Sequence, residues 1–189
     1  GNHQSLIIGD MPFGSYNSID DALNAATALM QAGSHMVKLE GGEWLIDTIA
    51  AMTDRGIPVC AHLGLTPQSV NKLGGYRVQG RDPESADQLL RDALDLQRAG
   101  ADMLVLECVP SQLATDITEA LSIPVIGIGA GPETDAQVLV IYDMLGITPN
   151  KTPKFSKNFL ADTGDVAGAL KAFHQAVSAG TFPGPEHGF

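Results

Sequence analysis

The sequence has few cysteines, few basic residues and no long apolar run, and each shortage argues against a class of protein. Its only cysteines, Cys60 and Cys108, lie in separate apolar segments without CxxC spacing, which argues against a disulfide framework or a zinc site. Eleven basic residues against 22 acidic ones give a net charge of −11, the opposite of the basic surface typical of nucleic-acid-binding proteins.

No apolar stretch is long enough to cross a bilayer, and no secretory signal pattern is present. Hydrophobic residues make up 44% of the chain and charged residues 17%, an ordinary balance for a globular protein. We therefore expect a cytoplasmic protein with reduced thiols that binds neither membranes nor nucleic acids.

Strand-like and helix-like segments alternate along most of the chain. Apolar runs predict strands at 5–13, 35–42, 57–66, 101–109, 123–131 and 138–146. Amphipathic patterns predict helices at 18–33 with Ser18 as N-cap, and at 43–56, 83–100 and 110–122. One helical turn is expected at 132–137, and the pattern at 138–146 also fits a helix. The C-terminal segment, 151–189, is predicted to be helical with a break near Gly164.

Such alternation with short connections predicts parallel strands joined by right-handed crossovers. Nearly continuous apolar strands suit either a doubly wound open sheet or a (β/α)8 TIM barrel. Six strands fit a barrel of the α/β class that lacks its first two βα units, in a single domain over residues 1–189. The long connection at 67–82 predicts an active-site loop, although a tolerated insertion would also explain its length.

Four consecutive predicted strands end in an ionisable residue: Asp10, Glu40, His62 and Glu107. The carboxyl ends of parallel strands meet at the edge where barrels carry their chemistry, so we expect these side chains to converge. Any one of them alone would have a plainer explanation, as a helix cap or a hydrogen-bonded core histidine. Four together favour a functional site.

The segment VKLEGGEW, residues 37–44, begins as a buried strand yet carries two charges. Side chains alternate along a strand, so Lys38 and Glu40 share one face. Val37 and Leu39 share the other, which we expect to pack on helices. Because an unpaired buried charge is costly, the charged face is expected to meet a metal or a ligand.

The residue types in this cluster narrow the chemistry. Carboxylates without a cysteine ligand favour a hard cation such as Mg²⁺ over zinc. Lys38 suits an anionic substrate group or a developing oxyanion, and Glu107 is a candidate general base. The segment GIGAG, residues 127–131, lacks GxGxxG spacing, so we interpret its glycines as allowing close approach of the backbone to a ligand.

Five segments together resemble one enzyme family, the 3-methyl-2-oxobutanoate (ketopantoate) hydroxymethyltransferases. They are VKLEGGEW at 37–44, AHLGLTPQSVNKLGGYRVQGR at 61–81, LVLECVP at 104–110, IPVIGIGAG at 123–131 and PKFSKNFL at 153–160. The resemblance implies a TIM barrel of the phosphoenolpyruvate/pyruvate type. It also implies transfer of a hydroxymethyl group from 5,10-methylenetetrahydrofolate to 3-methyl-2-oxobutanoate, giving 2-dehydropantoate for pantothenate synthesis. Bound Mg²⁺ and a homo-oligomer, a decamer, are further implications.

The resemblance also implies roles for individual residues. Asp10 resembles a metal ligand that contacts substrate as well, and Glu40 resembles a second metal carboxylate. Lys38 and His62 resemble residues that bind the oxo acid. Glu107 resembles the proton acceptor.

Family members carry a further N-terminal segment that contains a Gly-Asp-Ser motif, and no such motif precedes Asp10 here. We therefore expect the metal to have one carboxylate fewer and the barrel to have an open seam. Two alternatives remain open. One is a related metal-dependent 2-oxo acid C–C lyase, which would lack the TPQSVNKLGGYRVQGR loop. The other is an inactive barrel fragment that serves as an assembly subunit.

Overall fold

The computed structural model describes residues 4–149 and 151–189. Within these residues one sheet contains six strands, each parallel to its neighbours. The strands are β1 (Ile8–Asp10), β2 (Met36–Glu40), β3 (Val59–Gly64), β4 (Met103–Glu107), β5 (Val125–Ile128) and β6 (Ala136–Gln137).

Helices connect the strands and continue beyond the last one. They are α1 (Ile19–Gln31), α2 (Ile46–Thr53), α3 (Val70–Leu73), α4 (Pro83–Arg98), α5 (Ser111–Ala120), α6 (Ile141–Met144), α7 (Leu160–Thr163) and α8 (Val166–Ser178). Short 3₁₀ turns at Glu43–Leu45 and Pro67–Ser69 lead into α2 and α3. In the described part of the chain, none of these helices combines the length and apolar character that a bilayer crossing needs.

The strands stand in the sheet in the order of the sequence, from β1 to β6. In a doubly wound sheet the order reverses at a switch point, whereas a barrel adds each strand beside the preceding one in a constant direction. Helices lie between successive strands from β1 to β5. The structure is therefore part of a (β/α)8 barrel, as predicted.

Local capping signals account for several helix boundaries. The Ser18 hydroxyl oxygen accepts a hydrogen bond from Asp21 N at 3.2 Å, which confirms Ser18 as the N-cap of α1. The predicted break in the C-terminal region also occurs, because Gly164 adopts φ 78° between α7 and α8. Helical structure there begins at Leu160.

The helical turn predicted at 132–137 and the strand predicted at 138–146 are both wrong, whereas the helix left open for the second segment occurs over part of it. The last strand is β6, where Ala136 and Gln137 pair with Ile126 and Gly127. Residues 141–144 form α6 instead of a strand. A short apolar run does not distinguish strand from helix by its period. This one is also half exposed, so it does not occupy the sheet core that the strand prediction assumed.

Two apolar layers lie on opposite faces of the sheet. The outer layer joins the strands to helices α1, α2, α4 and α5, and it includes Val37 and Leu39. The inner layer includes Cys60 and Val105 and continues into the C-terminal segment around Phe159. The predicted packing of Val37 and Leu39 on helices is therefore confirmed.

Candidate active site

Strand pairing brings the predicted polar residues to one end of the inner face. Asp10 is in register with Lys38, and Glu40 is in register with His62. Glu107 pairs with Gly64, two residues beyond His62 on the same face. Residues in register on neighbouring parallel strands point in the same direction, so these five side chains converge where their strands end.

The ammonium group of Lys38 lies at the centre of this cluster. Its Nζ is 2.8 Å from Asp10 Oδ1 and 3.4 Å from both Glu40 Oε1 and His62 Nδ1. The Asp10 side chain is 57% exposed, whereas that of Glu40 is 3% exposed. The cluster therefore opens to solvent at Asp10 and is closed at Glu40.

Glu40 and His62 form a buried ion pair, with His62 Nδ1 at 3.5 Å from Glu40 Oε1. Burial raises the pKa of Glu40, but the hydrogen bonds from His62 and the Gln68 N–H and the nearby positive charges outweigh burial and lower the pKa. Burial lowers the pKa of His62, but Glu107 and Glu40 outweigh burial and the opposing charge of Lys38, and raise the pKa. Both shifts favour the charged forms.

Glu107 approaches the other side of the His62 ring. Its Oε2 is 3.3 Å from His62 Nε2, close enough for an ion pair. The two groups are not aligned for a hydrogen bond, and within the described residues His62 Nε2 is buried without a hydrogen-bond partner. Glu107 and His62 therefore form a close ion pair, and both the contact with Glu107 and its negative charge raise the pKa of His62.

The backbone around Glu107 is tightly fixed. Leu65 N donates to Glu107 O at 2.8 Å. A side chain at Gly64 would overlap that carbonyl oxygen, so this position requires glycine, which also adopts φ 89° here. Cys108, the residue directly after β4, has φ 49°, an uncommon value for a residue with a side chain. These contacts set the direction in which Glu107 points.

Two residues that the sequence did not indicate, Tyr16 and Gln68, also belong to the site. The backbone N–H of Gln68 donates to Glu40 Oε2 at 2.9 Å. The Tyr16 hydroxyl donates to Gln68 Oε1 at 2.6 Å. Burial raises the pKa of Tyr16, with the charges of Glu40 and Asp10 adding to the effect, so the hydroxyl remains a donor. Gln68 lies within the 67–82 connection. The length of that connection is the feature of the sequence that could have indicated a role for Gln68 at the site.

The glycines of residues 127–131 are explained by protein contacts. A side chain at Gly129 would overlap the Phe155 ring, and one at Gly131 would overlap Ser111. The structure therefore shows the backbone approaching other side chains at these positions, in place of the ligand that we expected.

The two predicted metal ligands suit Mg²⁺ by their chemistry. Asp10 and Glu40 both place an oxygen within 3.4 Å of Lys38 Nζ. In the described part of the chain, no cluster of three or more His, Cys, Asp or Glu side chains is arranged around a metal position. Mg²⁺ commonly takes one or two carboxylates and completes its shell with water and substrate oxygens. The pair thus fits a magnesium ion shared with a ligand, and the metal itself stays a prediction.

Comparison of the sequence with known proteins indicates one enzyme family. The family model described as ketopantoate hydroxymethyltransferase matches residues 1–185. A 3-methyl-2-oxobutanoate hydroxymethyltransferase of Saccharophagus degradans is 60% identical over the whole chain, which covers 70% of that protein. The enzyme of the same description from Marinobacter nauticus is 58% identical, with 72% of its length covered. A putative phosphonomutase structure from Burkholderia cenocepacia aligns with a TM-score of 0.49 at 18% identity, over 66% of this chain and 56% of that one.

Proposed function

Because the chain belongs to the ketopantoate hydroxymethyltransferase family, we propose that it transfers a hydroxymethyl group from 5,10-methylenetetrahydrofolate to 3-methyl-2-oxobutanoate. One observation carries this proposal: the Lys38 ammonium lies within 3.4 Å of Asp10, Glu40 and His62 at the strand ends. A cation held in this position at an opening to solvent suits a small anionic substrate.

Lys38 would bind the oxo acid. The Lys38 side chain is 18% exposed and has a solvent-facing neighbour in Asp10, so an oxygen of the oxo acid would approach from that side. As negative charge develops on the 2-oxo oxygen, the attraction to Lys38 increases, and such a difference between ground state and transition state lowers a barrier. His62 lies next to Lys38, and its pKa is raised because Glu107 and Glu40 outweigh burial; in its protonated form it would contribute a second positive group.

Glu107 would remove the proton from C3 of the oxo acid. Its carboxylate lies across the His62 ring from Glu40, in the same converging set of strand ends. The charged His62 ring faces Glu107 Oε2 and orients it. Proton removal leaves an enolate whose charge Lys38 would neutralise. Water would hydrolyse the methylene bridge of the folate, so that both C–N bonds break, tetrahydrofolate leaves and the carbon is released as formaldehyde. The enolate carbon would then add to the formaldehyde carbon, and the alkoxide formed would take up the proton held by Glu107 to give the hydroxymethyl group.

Asp10 and Glu40 would hold a Mg²⁺ ion. When bound, this ion would polarise the 2-oxo group as a Lewis acid. The lowered pKa of Glu40 keeps that carboxylate ionised, which is the form that a cation requires.

We also propose a cytoplasmic homo-oligomer, a decamer by the family resemblance. Exposed apolar side chains near the end of the sheet support assembly, because a surface of this kind is commonly covered by a partner. They are Val138, Val140, Ile141, Tyr142 and Ile147.

The alternative of a related 2-oxo acid lyase is not favoured. The family match extends over the 66–81 loop and all five clustered polar residues. The alternative of an inactive assembly subunit is also less favoured by the family match, and the contacts of Lys38 and Glu107 at the strand ends support the same choice.

The proposal is tested by calorimetry and by product formation. We expect 3-methyl-2-oxobutanoate to bind only with Mg²⁺ present, and 2-dehydropantoate to form once 5,10-methylenetetrahydrofolate is added. Glu107→Gln should lower kcat about 100- to 10,000-fold while the oxo acid still binds. The exposed Glu119→Gln on α5 is the matched control. Full activity of Glu107→Gln would exclude Glu107 as the base, and absence of binding by the wild-type chain would refute the proposed function.

A further inference from the structure

Gln68 connects three separate loops at the candidate site. Its side-chain Nε2 donates to Met11 O at 2.9 Å, and its Oε1 accepts from the Tyr16 hydroxyl at 2.6 Å. Its backbone N–H donates to Glu40 Oε2 at 2.9 Å. Met11 and Tyr16 follow β1, Glu40 ends β2, and Gln68 itself follows β3. A residue in the connection after β3 therefore bonds to the connection after β1 and to the last residue of β2.

These bonds determine the relative positions of the two carboxylates. Met11 is the residue directly after Asp10, and its own N–H donates to Lys38 O at 2.9 Å. The bond to Met11 O therefore fixes the backbone that carries Asp10, while the bond to Glu40 Oε2 fixes the second carboxylate directly. Backbone pairing of β1 with β2 sets Asp10 beside Lys38, but the direct side-chain link between Asp10 and Glu40 runs through the long, flexible side chain of Lys38.

Tyr16 supports Gln68 from the buried side. The Tyr16 hydroxyl oxygen accepts a hydrogen bond from Glu40 N at 3.4 Å, and the same hydroxyl donates to Gln68 Oε1. Its ring stacks on Trp44, with centroids 6.0 Å apart and planes inclined by 13°. Trp44 is the single tryptophan of the chain, so its fluorescence reports on this part of the site.

We propose that Gln68 is a positioning residue that holds Asp10 and Glu40 at the spacing required to bind Mg²⁺ together with the oxo acid. This inference rests on the proposed function, because the two carboxylates are the candidate metal ligands of that reaction. Gln68 acts through its neighbours, with its amide engaged by Met11 and Tyr16 and its N–H by Glu40. Groups that orient metal ligands from the next layer commonly change metal affinity or activity 10- to 100-fold when removed.

The test uses Gln68→Met in the full chain, because methionine keeps the length of the side chain and removes both amide hydrogen bonds. Gln112→Met is the matched control, since Gln112 is exposed on α5 and donates only locally to Asp116 Oδ1. Calorimetry would measure the Kd of Mg²⁺ alone and the Kd of 3-methyl-2-oxobutanoate in saturating Mg²⁺. Trp44 emission would follow the same titrations, and thermal unfolding would be recorded for each variant.

We expect Gln68→Met to weaken Mg²⁺ binding about 10- to 100-fold, and Gln112→Met to change it less than about twofold. Tyr16→Phe should weaken binding less than Gln68→Met does. The double variant should bind no more weakly than Gln68→Met alone, because both substitutions interrupt one network. If Gln68→Met does not fold, the milder Tyr16→Phe carries the test with the same expected direction.

The outcomes separate this inference from the proposed function. No binding of Mg²⁺ or oxo acid by the wild-type chain overturns both. Wild-type binding together with equal affinity in Gln68→Met and Tyr16→Phe overturns the positioning role alone. A lower unfolding temperature of Gln68→Met with unchanged Mg²⁺ affinity would also overturn the positioning role. That result would show that the Gln68 hydrogen bonds contribute to stability but not to metal binding.

Discussion

Strand β2 has two faces that are stabilised in different ways. Val37 and Leu39 are fully buried among helix side chains in the outer apolar layer, where burial contributes roughly 25 cal/mol per Å² of apolar surface. Lys38 and Glu40 point the other way and form ion pairs and hydrogen bonds at the site. For such ionised groups the cost of desolvation offsets much of the attraction.

The comparison shows that stability and chemistry are assigned to alternate residues of one short segment. Residues of the outer face are expected to determine the free energy of unfolding and to have little influence on ligand binding. Residues of the inner face are expected to determine ligand binding and to have less influence on stability. Substitutions on the two faces therefore test whether the stability of the protein and its ligand binding depend on different residues.

Leu39→Ala should produce the largest loss of stability. Leu39 is fully buried, and truncating a buried leucine leaves a cavity that costs about 2–5 kcal/mol. Urea unfolding would measure the loss, with Leu170→Ala, at a half-exposed position on α8, as the control. Calorimetry of the folded fraction should show Mg²⁺-dependent binding of the oxo acid within about twofold of wild type. A large loss of affinity would show that the two faces are not independent.

Lys38→Met should produce the converse result. A hydrogen bond to a charged group contributes roughly 1.5–3 kcal/mol. Its loss is therefore expected to weaken oxo acid binding about 10- to 100-fold. Stability should fall less than in Leu39→Ala, because Glu40 retains His62 and the Gln68 N–H as partners. Lys171→Met, at an exposed position on α8, is the control. Equal losses of stability in Lys38→Met and Leu39→Ala would contradict the division between the faces.

His62 makes the stability of the inner face depend on pH. Folding raises the pKa of His62 above its ordinary value near 6.5, so its contribution is complete below pH 6.5 and is lost as the pH rises through the folded-state pKa. In EDTA, the free energy of unfolding of the wild type should fall relative to His62→Gln as the pH is raised above 6.5. His174→Gln, at an exposed position, should keep the wild-type profile. Urea unfolding across this range measures the difference, and parallel profiles for wild type and His62→Gln would refute it.

The two thiols should show the smallest effect, which is an absence of reaction. Burial raises the pKa of both Cys60 and Cys108 to about 12, so at pH 8 only about one thiol in 10,000 is ionised. Ellman's reagent should leave both thiols unmodified in the native protein and modify both in urea. Fast labelling of Cys60, which is in register with Lys38, would show that the inner face opens to solvent.

The sequence predicted the barrel and the convergence of the charged residues because both depend on local patterns. Period-2 alternation placed Lys38 opposite Leu39, and the strand ends placed Asp10 and Glu107 at one edge. Tyr16 could not be found in this way. It lies in an irregular connection, where no period relates a residue to its neighbours in space, and its role depends on a hydrogen bond to a residue 52 positions away.

The last strand was misplaced for a similar reason. Residues 138–146 contain enough β-branched and apolar side chains for a strand, yet the sheet pairs with the less apolar Ala136 and Gln137. A side-chain hydrogen bond also assists the pairing of β6 with β5, since Asp135, directly before β6, accepts from Val125 N on β5. A contact of this kind leaves no periodic signature.

The register between β2 and β3 has a consequence for how this protein tolerates change in length. Lys38 meets Cys60 and Glu40 meets His62 because the two strands are aligned residue for residue. Inserting or deleting a single residue within β2 would reverse every side chain beyond it, turning leucine toward the ions and glutamate toward the helices. A single insertion or deletion would then disrupt both the apolar core and the candidate site. Variation in length is therefore confined to the loops, while the strand itself accepts change only by substitution.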